Sequence, residues 1–144
     1  MNLKTKKRLI IIMLFACCIL VATVIAYNML KPRKITDFCG DDISQFDKIC
    51  IARGNNFDLI EVEKEDYEAI LEILKSTEYS PMYFVKSSVG WSYRIQITID
   101  KKVVDVVFSG TKCEIGNTPY KVNDIEVQQK LGKLYESKYK ALEK

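Results

Sequence analysis

The sequence predicts an α+β protein, with an N-terminal transmembrane helix followed by a twisted antiparallel β-sheet packed against two α-helices. Three observations carry that prediction. Residues 9–30 hold no charged side chain across twenty-two positions, and at about 1.5 Å per residue they reach about 33 Å as a helix, against about 30 Å of bilayer hydrocarbon. Residues 91–100 alternate without error, with Trp91, Tyr93, Ile95, Ile97 and Ile99 on one side, the pattern of a sheet with one covered and one wet face. Tyr67, Ile70, Leu71 and Leu74, and later Val127, Leu131, Leu134, Tyr135 and Leu142, recur at helical spacing as two apolar stripes.

Residues 1–8 form a cationic segment with Lys4, Lys6, Lys7, Arg8 and no acid. The apolar run at 9–30 then reads as a retained signal anchor, because it exceeds the roughly 7–15 residues of a signal-peptide core. Two processed forms remain open: cleavage after Ala26, where Val24 and Ala26 fit a small-x-small pattern, and lipidation at Cys17 within Leu14, Phe15, Ala16 and Cys17. Cations flank both ends of the run, and the short cationic N-terminus favours that end inside and the domain outside. Residues 31–40 read as a tether, in which Pro32 ends the helix and Gly40 offers a turn. Residues 41–144 are then one extracytoplasmic α+β domain.

Within that domain residues 48–53 and 57–62 read as a hairpin around Gly54, Asn55 and Asn56. Residues 63–76 form the first helix, with Glu63, Glu65, Asp66 and Glu68 in its first turns and Lys75 in its last, matching the macrodipole. Tyr79, Ser80 and Pro81 read as a turn before a strand at 82–85, and a loop at 87–90 precedes the alternating strand. A turn at Asp100, Lys101 and Lys102 returns the chain as a strand over 103–108, followed by short strands at 112–115 and 120–122. Asn123 with Glu126 reads as a capping box for the last helix, which Glu126 with Lys130 and Glu136 with Lys140 support at i, i+4.

The formal charge of +3 resides in the leader and its flanks. From Asp37 onward there are 15 Lys and Arg against 19 Asp and Glu, so the folded part is mildly acidic and lacks a nucleic-acid footprint. With no histidine in the chain, His-dependent triads and most zinc sites are excluded. No metal site or cofactor is expected. The acids Asp41, Asp42 and Asp47 lack the spacing of a calcium loop and read as a solvated turn.

Ser109, Gly110, Thr111 and Lys112 match S-x-x-K, the spacing that sets a lysine amine beside a nucleophilic serine, but they fall in a sheet turn without partner motifs. No catalytic residue is assigned. Cys39 and Cys50 form a candidate disulfide outside the membrane. Tyr79, Tyr83, Phe84, Trp91 and Tyr93 concentrate rings in fifteen residues, and Tyr83, Trp91 and Tyr93 are the candidate binding groove, against a core-packing alternative.

The leader and single span, the helix at 67–74, the G-W-x-Y-x-I-x-I strand at 90–99 and the Tyr-containing turn at 119–122 resemble small membrane-anchored or lipoprotein-type extracytoplasmic domains of unknown function from Gram-positive bacteria. The resemblance implies a non-enzymatic α+β module and supplies no catalytic residue. The expected function is a binding or interaction module at the cell envelope, an accessory subunit or sensor, whose partners are the bilayer and an envelope protein. An inhibitor or immunity-type protein that blocks a partner enzyme or toxin is the alternative. A carboxylate-dependent cell-wall hydrolase is the third reading.

Overall fold

The computed structural model of the chain describes residues 3–54, 58–83, 90–122 and 125–142. The chain divides into two units, Met1–Lys31 and Pro32–Lys144.

The first unit is one helix, α1, over Leu3–Leu30. Its segment Lys6–Leu30, 25 residues of mean hydropathy 3.2, is long and apolar enough to cross a membrane, a test that an N-terminal signal sequence also passes. Apolar residues such as Ile11, Leu14, Phe15, Leu20 and Val24 are exposed on it. The hydroxyl of Thr23 donates to the Ile19 carbonyl at 2.5 Å, so this polar side chain is satisfied inside the helix, as a lipid environment requires.

The second unit is an α+β domain. Its strands are β1 (Phe46–Arg53), β2 (Ile60–Glu61), β3 (Tyr79–Pro81), β4 (Tyr93–Ile99), β5 (Lys102–Ser109), β6 (Lys112–Ile115) and β7 (Thr118–Val122), and its helices α2 (Thr36–Cys39), α3 (Tyr67–Lys75) and α4 (Glu126–Lys138). The strands form one antiparallel sheet in the order β2-β1-β4-β5-β6-β7-β3. Three consecutive hairpins link β4 to β7, each through two residues. Asp100 and Lys101 (φ 47° and 67°) and Gly116 and Asn117 (φ 54° and 69°) take the left-handed conformation at both turn positions, the geometry whose twist matches the flanking strands.

Alternation carries through to packing. Ile49, Ile51, Ile95, Ile97, Val106 and Phe108 face one side of the sheet and are buried with Ile70, Leu71 and Leu74 of α3 and Val127, Leu131 and Tyr135 of α4. The opposite face bears Arg94, Gln96, Thr98, Asp105, Glu114 and Lys121, none of them buried. An arginine fork spans this face, with Arg94 Nε and Nη2 donating to the two Asp105 oxygens at 2.9 and 2.7 Å.

Four expectations are corrected. Residues 31–40 are not a free tether: Arg33 exchanges backbone hydrogen bonds with Tyr79 at 2.9 and 2.8 Å, and α2 carries Ile35 and Cys39 into the core. The strand in this stretch is β3 at Tyr79–Pro81, the segment expected as a turn, because Pro81 is tolerated on an edge strand with no need of an N–H, while Met82 and Tyr83 of the strand expected at 82–85 are outside any strand. The helix expected over 63–76 opens as a 3-10 turn at Lys64–Asp66 before α3 begins. Leu142 is not on the α4 stripe: the helix ends at Lys138, Leu142 is exposed in a 3-10 turn, and Tyr139 continues the stripe in its place, buried. Asn55, Asn56, the strand end at 57, residues 84 and 85 of the strand expected at 82–85, residues 87–89 of the expected loop and the Asn123 cap lie outside the described residues.

Gly54 ends β1 where the chain passes under the β4 entry, its N–H donating to the Ser92 carbonyl at 2.9 Å. A Cβ there would stand 2.0 Å from the Trp91 carbonyl oxygen, a backbone atom that cannot rotate away. Gly54→Ala is therefore expected to cost about 1–3 kcal/mol, read as a lowered urea midpoint of the detergent-solubilised chain.

Candidate functional site

The aromatic residues do not converge. Tyr83 follows β3, which stands four strands from β4 in the sheet order, a separation of about 19 Å at about 4.8 Å per strand. Tyr93 points into the core, its ring 6.3 Å from that of Tyr135 in an edge-on arrangement. Trp91 is half-buried at the β4 entry, and Tyr83 is exposed. Tyr93, packed against the core, and Tyr83, four strands away, are therefore separated by the sheet order. Tyr79, from the same stretch, is fully buried beneath α3 and donates its hydroxyl to the Leu74 carbonyl at 3.1 Å.

The cysteines are all free. Cys39 belongs to the core cluster, whereas Cys50 lies on β1 between the core residues Ile49 and Ile51, so alternation turns it to the opposite face, where Glu61 is its cross-strand partner. The sheet thus separates the candidate disulfide pair. Burial pushes the thiols of Cys39, Cys50 and Cys113 up from their ordinary value, which suppresses thiolate and with it nucleophilic reactivity. Cys17 lies within α1, its side chain exposed.

The S-x-x-K residues form the β5–β6 hairpin. Ser109 donates its hydroxyl to the Gly90 carbonyl at 2.5 Å, and Ser109 and Lys112 are cross-strand partners on the wet face. The Ser109 hydroxyl is thus engaged by the Gly90 carbonyl at the entry to β4. Asp42 instead closes a 3-10 turn, its carboxylate accepting from the Ser44 N–H at 3.0 Å and the Ser44 hydroxyl at 2.6 Å, and these bonds hold its pKa below the usual carboxylate value. Among the described residues no group of three or more His, Cys, Asp or Glu is arranged to hold a metal.

Two features are new with the structure. Asp66, buried at the start of α3, accepts from Lys138 Nζ at 2.5 Å and from the Tyr139 hydroxyl. The lysine first and the tyrosine second hold its carboxyl below the ordinary range, while burial and the adjacent carboxylate push the Tyr139 phenol up. A carboxylate locked ionised between two donors is a staple between helices and a poor proton acceptor. Nothing local announces this contact across more than seventy residues, although the steps of four from Val127 through Leu131 and Tyr135 lead to Tyr139, a signal the stripe ending at Leu142 passed over.

The second feature is a cavity of about 310 Å³ between α2 and the ends of β5, β6 and β7, with Phe38, Val104, Ile115 and Tyr120 as its apolar lining and Asp37, Lys102 and Thr118 as polar groups. Phe38 and Tyr120 meet edge to face, 5.6 Å between centroids. The volume falls at the low end of small-molecule sites.

Both sheet edges are closed to strand addition. β2 is two residues long, and Ile49 beside it is already bonded, its N–H donating to the Tyr67 oxygen at 3.2 Å and its carbonyl accepting from Val62 N at 2.9 Å. At the other edge β3 carries Pro81 and is bridged by Arg33. These are the devices by which sheets avoid pairing with other chains.

The class defined by these elements is an α+β domain behind an N-terminal helix of membrane-spanning length. Compared with protein-family models, curated proteins and solved structures, the chain matches none of them.

Proposed function

We propose that this protein is a single-pass, membrane-anchored interaction module, with the domain from Pro32 onward on the extracytoplasmic side of the cell membrane and no catalytic activity of its own. The observation that carries the reading is α1, whose apolar side chains are exposed over a length that matches a bilayer. Supporting it, the residues that offered chemistry in the sequence are engaged structurally: Ser109 with Gly90 and the domain thiols by burial. The partner is a protein of the envelope, met through the surface of the domain rather than through a free sheet edge.

Topology tests it. Cys39 and Cys113 are buried and make poor handles, so the reporter is Lys133→Cys at an exposed position of α4. A membrane-impermeant maleimide is expected to label that variant on intact cells. Labelling confined to broken cells would place the domain inside and overturn the extracytoplasmic reading.

A further inference from the structure

We propose that the β6-β7-β3 side of the domain's wet face is a lipid contact, in which Lys112 and Lys121 rest on anionic phospholipid headgroups beside the edge where Arg33 and Lys34 enter the domain. The inference rests on the membrane-anchor reading and adds a second attachment to it. Lys112 and Lys121 are direct cross-strand partners. Val122 N donates to the Thr111 carbonyl at 3.0 Å just beyond them, which makes theirs a non-hydrogen-bonded pair, the type with Cα atoms about 4.5 Å apart and side chains closest. Both lie on the wet face, because their neighbours Cys113, Tyr120 and Val122 are buried in the core.

Two ammonium groups so placed repel one another unless an anion lies between them. Among the described residues neither lysine forms an ion pair, and Glu114, two residues from Lys112 on the same face, forms none either. Ser80 of β3 pairs with Lys121, and its neighbour Tyr79 pairs with Arg33. Arg33 and Lys34 are exposed and also without an ion pair among the described residues. Tyr79 faces the core, so its partner Arg33 lies on that face at the β3 edge, near Tyr120, while Lys112 and Lys121 form the wet-face pair on the two strands next to that edge.

Chain connectivity selects the anion. Only Lys31 and Pro32 separate Leu30 from Arg33, a reach of about 10 Å at full extension, so a bilayer that holds Leu30 keeps Arg33 within reach of its headgroups. Anionic lipid attracts such juxtamembrane cations within a Debye length of the surface.

The test uses the full chain in nanodiscs of phosphatidylcholine alone or mixed equally with phosphatidylglycerol, with lysine acetylation by a water-soluble reagent followed by mass spectrometry. Lys112 and Lys121 are expected to react about fivefold more slowly in the anionic discs, with the difference lost at about 1 M salt. The exposed Lys64 and Lys133 are expected to react alike in both. Equal rates for Lys112 and Lys121 in the two discs, or a uniform slowing of every lysine, would overturn the lipid contact while leaving the anchor intact. A chain that fails to enter either disc would overturn the anchor reading itself, and the contact with it.

Discussion

Phe108→Ala is expected to destabilise the domain by about 3–5 kcal/mol, the range for removing a buried aromatic ring from a core. Phe108 lies on β5 in the middle of the sheet, paired with Tyr93 of β4 and Cys113 of β6, and is fully buried. Those two neighbours are held in strands on either side, so they cannot close over the space left behind. Domains of this size are stable by about 5–15 kcal/mol, and the variant therefore forfeits a large share of the total. Urea denaturation of the detergent-solubilised chain measures it through the midpoint, and a shift worth under about 1 kcal/mol would show that Phe108 is not central to the core.

Asp66→Ala is expected to cost about 2–3 kcal/mol. The buried carboxylate is removed, the buried Tyr139 hydroxyl loses its acceptor, and only Lys138, half exposed, can turn to water. This is less than the loss from breaking a wholly buried ion pair for that reason. The same residue sets a pH signature. Because the folded pKa of Asp66 lies below its unfolded value, its contribution is fully present above the unfolded pKa of about 3.9 and is lost as pH falls through the folded one. At the alkaline end the signs reverse: Lys138 and Tyr139 are both raised in the fold, so what they contribute is present below about pH 10 and lost above it. Asp66→Asn should flatten the acid limb of a stability-versus-pH curve while sparing most of the packing. An acid limb identical to that of the parent chain would remove Asp66 from the account.

How much of this was legible follows from where the signal lay. β4 was plain because Tyr93, Ile95, Ile97 and Ile99 alternate across a central strand and lie in or against the core. The α3 stripe was plain for the equivalent reason at period 3.6, since Tyr67, Ile70, Leu71 and Leu74 are all buried. β3 was misplaced because a three-residue edge strand is too short to show alternation, and Pro81 reads locally as a turn. The segment after Leu30 read as a tether because its only buried pair is Ile35, just before α2, and Cys39, the last residue of that four-residue helix, too little to register as periodicity. The Asp66 staple, the Arg33 bridge to Tyr79 and the Lys112–Lys121 pair depend on which strands and helices become neighbours, and no local pattern encodes that. The aromatic cluster misled because nearness in sequence was read as nearness in space, whereas β7, β6 and β5 stand between β3 and β4.

The central claim is that α1 remains in the chain and holds it in the membrane. The most direct measurement is alkaline carbonate extraction of membranes from cells expressing the full chain, followed by intact mass of the extracted protein. The account predicts that the protein stays with the washed membranes and has the mass of all 144 residues. Release into the supernatant, or a species beginning after Ala26, would contradict it.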